Sequence, residues 1–153
     1  MLNLFAYLND QSQDLRGVAH ACCQAAAALH TDGIVHCDFR MANVVRLDAD
    51  SWMVIDLEYC RRARDPLLTK LRLVEWDDVT LAKWDDGITT KARKGQTARW
   101  YTELSDMYQI GGLLRQHLQD TFSGDAKGFV SALRKKTLKA DEALKHTWLS
   151  TRA

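Results

Sequence analysis

The residues best suited to chemistry lie in two short segments, Ile34-Val-His-Cys-Asp-Phe-Arg-Met-Ala-Asn-Val45 and Met53-Val-Ile-Asp-Leu-Glu58. Two β-rich runs, residues 43–47 and 52–55, flank the polar tract 48–51, the pattern of an antiparallel hairpin with a short loop. Asn43 precedes the first strand and Asp56 follows the second, so strands of similar length return both to one end. Asp38 and Arg40 sit in the loop just before. Two carboxylates, an amide and a guanidinium thereby converge. Magnesium takes hard oxygen ligands and keeps several waters, so one carboxylate and one amide oxygen beside phosphate suffice. A second carboxylate can orient a hydroxyl nucleophile while a cation neutralises the transferring group. The set suits magnesium-dependent phosphoryl transfer.

The same residues carry a resemblance. His36-Cys-Asp-Phe-Arg-Met-Ala-Asn43 resembles the protein-kinase catalytic loop H-R-D-L-K-x-x-N, with Cys37 at the arginine position, and Asp56-Leu-Glu58 stands in the place of D-F-G. Leu104-Ser-Asp-Met-Tyr-Gln-Ile-Gly-Gly-Leu-Leu114 is similar to the S-D-x-W/Y-S-x-G helix of that family, where an aspartate at the position of Asp106 holds the catalytic-loop backbone. Ala140-Asp-Glu-Ala-Leu-Lys-His-Thr-Trp-Leu149 looks like the closing A-x-E-A-L-x-H-P-W helix. The ordered pair of loop motifs, correctly separated across a hairpin, is the specific part.

The resemblance implies a fold that is mainly α with a small β-hairpin, a protein-kinase-like C-terminal lobe over residues 1–153. Its catalytic loop would be 34–45, its metal-binding loop 53–60, its activation segment about 56–100 and its helical subdomain 104–150. It implies an ATP- and magnesium-dependent transfer of the γ-phosphate to a hydroxyl, with Ser/Thr of a protein favoured as acceptor. Asp38 would orient the hydroxyl and accept its proton, Arg40 would stabilise the γ-phosphate, and Asn43 and Asp56 would hold magnesium. His36 and Asp106 would be structural support.

Departures from the family pattern shape further expectations. Upstream there is neither a glycine-rich phosphate loop nor a V-A-I-K-like lysine strand, so the N-terminal lobe is expected to be missing from this chain. The chain alone should then bind ATP weakly and transfer little phosphate. Glu58 replaces the D-F-G glycine, no A-P-E phrase precedes Ser105, and Thr137 stands where an arginine often precedes the last helix. The I-D-x-E form is also similar to choline- and aminoglycoside-type kinases. Combined with Arg40 in the loop, it is similar to kinase domains of fungal and oomycete Crinkler-type effectors. Cys37 cannot supply the cation that pairs with activation-segment phosphate, although Arg93 or Arg99 could stand in. Activity is therefore expected not to require phosphorylation of Thr89, Thr90, Thr97 or Thr102.

Helices must position these loops. Leu15, Val18, Ala19, Cys22, Ala26 and Leu29 recur at helical spacing over residues 15–30, with Ser12 or Asp14 to cap the start and Asp32-Gly33 to stop it. Ser105 or Asp106 can cap a helix carrying Met107, Ile110, Leu113, Leu114 and Leu118, ended by Ser123-Gly124. Further helices are expected over 126–134 and 141–148. Residues 61–100 read as charged and irregular, either a long functional loop or loop mixed with short helix.

Composition bounds the setting. With 153 residues and 46% hydrophobic content, the chain can bury one ordinary core. A net charge of +1 argues against a coat for nucleic acid. The four cysteines show no C-x-x-C pair, so reduced thiols in an intracellular protein, cytoplasmic or nuclear, are expected. No apolar run approaches the roughly 20 residues that span a bilayer, so neither a membrane nor nucleic acid is expected as a partner; ATP and a protein substrate are the partners the resemblance implies.

Plainer readings compete. Asp38, Asn43 and Asp56 could simply cap turns around the hairpin. His36 reads as a packed, hydrogen-bonded histidine before it reads as a catalyst. His36, Cys37 and Cys60 lack zinc-ligand spacing. The doubled Trp-Asp-Asp at 76–78 and 84–86 fits an anchored, solvated loop, and Lys91, Arg93, Lys94 and Arg99 fit a solvated basic face. Two function classes therefore stand beside the protein kinase: a pseudokinase or lone lobe acting as an interaction module, and a small-molecule kinase.

Overall fold

The computed structural model describes residues 12–48, 51–65, 101–117 and 123–150. The doubled Trp-Asp-Asp phrase, the basic residues 91–99, Thr89, Thr90 and Thr97, and most of the expected activation segment lie outside the described residues, as do the side chains of Ser12 and Asp14; Thr102 is described.

Helix α1, Ser12–Thr31, forms where the apolar spacing predicts it. Leu15, Val18, Ala19, Cys22, Cys23 and Ala26 fall on one face and are buried. The chain leaves α1 through a turn at Gly33, whose φ of +69° is open to glycine without steric cost and whose N–H donates to His30 O at 3.0 Å.

Four short strands follow: β1 Ile34–Val35, β2 Val44–Arg46, β3 Trp52–Val54 and β4 Arg61–Arg62. A 3-10 turn, Met41–Asn43, leads into β2. β2 and β3 pair antiparallel as Val44↔Val54, Val45↔Met53 and Arg46↔Trp52, the expected hairpin. Asp48 Oδ1 fixes its turn by accepting Ser51 N–H at 2.9 Å. β1 pairs with β4 as Ile34↔Arg62 and Val35↔Arg61. That second ladder falls inside a stretch expected to be irregular. Two residues are too few to show alternation, and both are arginine, so β4 has no apolar signature.

Helices α2 Glu103–His117, α3 Gly124–Arg134, α4 Ala140–Leu144 and α5 Thr147–Ser150 complete the described chain. α2 starts two residues before Ser105, so Ser105 and Asp106 are buried in its first turn and do not cap it. Ser105 Oγ reaches back to accept Thr102 N–H at 3.0 Å. Ser123 caps α3, its side chain accepting Ala126 N–H at 3.3 Å. The single helix expected over 141–148 is two. His146 interrupts it, and its Nδ1 accepts Trp148 N–H at 3.2 Å as the next turn begins. The fold is mainly helical with a small antiparallel hairpin.

One core joins these elements: Val18, Cys22 and Ala26 of α1, Met107, Ile110 and Leu114 of α2, Phe129 and Leu133 of α3, and Ala143 and Trp148 beyond. α2 and α3 meet where Gly111 leaves no room. A Cβ on it would lie 2.9 Å from Leu133 Cβ and 3.1 Å from Arg134 N. Gly128, exposed in α3, has nothing within 4 Å of the same atom. Gly111→Ala should therefore destabilise the fold by about 1–3 kcal/mol. Gly128→Ala should stabilise it by about 0.5–1 kcal/mol through helix propensity. Urea unfolding of both variants checks this, and shifts of the same sign would contradict the packing described.

Candidate functional site

The two ladders bracket two loops. β1 and β2 flank residues 36–43, β3 and β4 flank residues 55–60, and the strands pair so that the loops must face each other. Ile55 N–H donates to Asn43 O at 2.9 Å and carries the β2–β3 ladder one step further, bringing Asp56 alongside Asn43.

From behind, α2 grips the backbone of the 36–43 loop. Asp106 is fully buried. Its Oδ2 accepts His36 N–H at 2.8 Å and its Oδ1 accepts Cys37 N–H at 3.0 Å. Tyr101 O–H donates to Oδ1 at 2.6 Å, and His30 Nε2 lies 3.0 Å from Oδ2. One turn along the same helix face, Gln109 Oε1 accepts Phe39 N–H at 2.8 Å, and its Nε2 donates to Cys37 O at 3.1 Å. These bonds hold Cys37 at φ +69°, a left-handed conformation that costs a non-glycine residue roughly 1–2 kcal/mol. Burial, then the neighbouring Asp106 carboxylate, pushes the Cys37 thiol far above the ordinary thiol range. Cys37 is a protonated, inert side chain at neutral pH.

The front of the loop carries the polar side chains. Asp38 Oδ2 accepts Asn43 Nδ2–H at 2.8 Å and pairs with Arg40 Nε at 3.0 Å. Asn43 Nδ2 also donates to Asp38 O at 3.0 Å. Asp38 and Asn43 are buried, while the Arg40 side chain is 60% exposed. Among the described residues, no hydrogen bond or ion pair engages Asp38 Oδ1 or the Arg40 Nη groups. His36 Nδ1 accepts Asp38 N–H at 3.3 Å, and its ring packs 4.5 Å from Phe39. Its Nε2 has no partner among the described residues. His36 is built into the wall.

Asp56 is exposed, with φ +67° and Oδ1 accepting Glu58 N–H at 3.4 Å. Asp and Asn tolerate this conformation better than most residues, and such strain gathers at functional sites. Asp38, Arg40 and Asn43 thus touch one another, Asp56 lies on the facing loop, and His36 and Asp106 support from behind.

Magnesium fits the donor set. Both hydrogen bonds of Asn43 Nδ2 go to acceptors of Asp38, which turns the amide oxygen away from that carboxylate. That oxygen and the exposed Asp56 carboxylate are hard donors on adjoining loop ends. Among the described residues no three His, Cys, Asp or Glu side chains form a metal cage. A magnesium ion here would complete its shell with water and phosphate.

His30, Tyr101 and Gln109 belong to the site yet are absent from the sequence reading. Gln109 was accessible in principle, three residues after Asp106 on one helix face. His30 and Tyr101 reach Asp106 only through tertiary packing. No protein-family model matches the chain, and no curated protein matches it.

Asp106→Ala would orphan the buried N–H groups of His36 and Cys37 and remove the carboxylate to which the Tyr101 hydroxyl donates. It should cost on the order of 3 kcal/mol, and Tyr101→Phe about 1 kcal/mol. Denaturant unfolding monitored by tryptophan fluorescence measures both. A loss below 1 kcal/mol for Asp106→Ala would remove the clamp from the account.

Proposed function

We propose that this chain carries the catalytic lobe of a protein-kinase-like phosphotransferase, moving the γ-phosphate of ATP to a hydroxyl, with Ser/Thr of a protein as the favoured acceptor. The observation that carries the reading is the division of labour at Asp38. Asn43 and Arg40 both bind Oδ2, which fixes the carboxylate and, among the described residues, leaves Oδ1 open to a reacting hydroxyl.

In this reading Asp38 Oδ1 accepts a hydrogen bond from the acceptor hydroxyl, aligns its oxygen and takes its proton as the new P–O bond forms and the bond from the γ-phosphorus to the β–γ bridging oxygen breaks, releasing ADP. Arg40 keeps Nε on Asp38 and offers its Nη donors to the transferring group, where a cation offsets developing charge. Asn43 and Asp56 would hold magnesium, which would supply charge neutralisation to the phosphates. His36 and Asp106 do no chemistry, but they fix where Asp38 points.

Two observations support other readings. Leu47, Met53 and Leu57 are 57%, 45% and 58% exposed, which suits an interaction module. Glu58 stands beside Asp56 on the same exposed loop, which suits the small-molecule type of site. One titration separates all three. Calorimetry of ATP binding with and without magnesium should show Asp56→Asn weakening the magnesium-dependent affinity at least tenfold, about 1.4 kcal/mol. Glu58→Ala should change it less than threefold. Equal losses favour the small-molecule site, and absence of magnesium-dependent binding by the unmodified protein favours the interaction module.

A further inference from the structure

The 55–60 loop poses a physical problem. It holds Asp56 in the left-handed region, yet residues 56–60 contain neither glycine nor proline. Something must over-determine its path. At its start, Ile55 N–H is tied to Asn43 O. In its middle, Cys60 N–H donates to Leu57 O at 3.0 Å, and Asp56 Oδ1 takes Glu58 N–H at a long 3.4 Å. The strongest bonds come at its end. Arg61 Nη1 donates to Cys60 O at 2.7 Å and to Glu58 O at 3.0 Å. An Nη group carries two hydrogens, so one nitrogen can serve both carbonyls, and charge makes each bond stronger than a neutral one. Arg61 is itself anchored, because its backbone lies opposite Val35 in the β1–β4 ladder.

We infer that Arg61 is a positioning residue: its guanidinium staples the loop that carries Asp56 to the ladder that carries the 36–43 loop. Of the two carbonyls it joins, Glu58 O lies within the Leu57–Cys60 turn and Cys60 O closes it, so releasing them loosens the turn and, with it, the backbone of Asp56 just before it. Arg61 also stands near the Cys37 and Cys60 thiols and opposes the stronger upward push of burial on both. It is thus the described cation beside Cys37, where the resemblance would have placed an arginine. Arg93 and Arg99 lie outside the described residues. Lysine reproduces the staple only in part, since its ammonium can donate to both carbonyls but is a compact, strongly hydrated point charge on a flexible stem without the pre-organised planar group.

The functional consequence rests on Asp56 as a magnesium ligand, but the staple does not, so the test has two arms. In the first, ¹⁵N relaxation of the ligand-free protein gives backbone order parameters for residues 56–60. In the unmodified protein they should stand near those of β2 and β3, about 0.85; in Arg61→Met they should fall below about 0.6, with β2, β3 and α2 unchanged. Arg61→Lys should fall between. In the second arm, Arg61→Met should weaken ATP binding at least fivefold with magnesium and less than twofold without it. Unchanged order in folded Arg61→Met overturns the inference. So does global unfolding of Arg61→Met together with Arg61→Lys ordered as the unmodified protein, which would make Arg61 a general stabiliser. Lost order without magnesium-dependent binding by any variant keeps the staple and removes the metal site.

Discussion

A single buried carboxylate organises this molecule. Asp106 has no exposure and four donors around it, two of them consecutive backbone N–H groups of the 36–43 loop. A buried charge is tolerated only when its hydrogen bonds are filled, because removal from water otherwise costs several kcal/mol. The loop fills them, and in doing so it takes up the left-handed turn at Cys37 that it would not adopt alone. The polar core and the strained loop are each other's condition. Loss of either would leave the other unsatisfied.

The grip is directional. Asp106 and Gln109 hold residues 36, 37 and 39 from the α2 side, while two ladders hold both ends from the sheet side. Asp38 is therefore presented by backbone that cannot easily turn, and among the described residues its own side chain is fixed through Oδ2 alone. Rigid support with one open acceptor is what proton transfer from a substrate hydroxyl requires. The facing loop is more exposed and depends on fewer bonds, so Asp56 is the less secure half of the arrangement.

Much of this was legible in the chain and some was not. The hairpin was readable because two β-rich runs flank a polar tract, and antiparallel strands of similar length return Asn43 and Asp56 to one end; the residue register, which sets Ile55 opposite Asn43, was not read from the chain. The first long helix was readable for the same reason. Asp106 was found as the loop's anchor only through the resemblance; taken as a bare residue it suggested a helix cap, since the chain cannot reveal that α2 begins at Glu103. The split at His146 and the β1–β4 ladder were hidden because each depends on a few bonds made by side chains or distant backbone. Their residues have no periodicity to read.

The central claim is that Asn43 and Asp56 share a divalent ion with a nucleotide phosphate. Manganese substitutes for magnesium and broadens nearby nuclei, so trace manganese with ATP, followed by two-dimensional NMR, locates the ion directly. The account predicts that the Asn43 side-chain amide and the Asp56 and Leu57 backbone amides disappear first, only when ATP is present, while residues 124–150 stay sharp. Broadening centred on Asp125, Asp141 or Glu142, or identical with and without ATP, would contradict it.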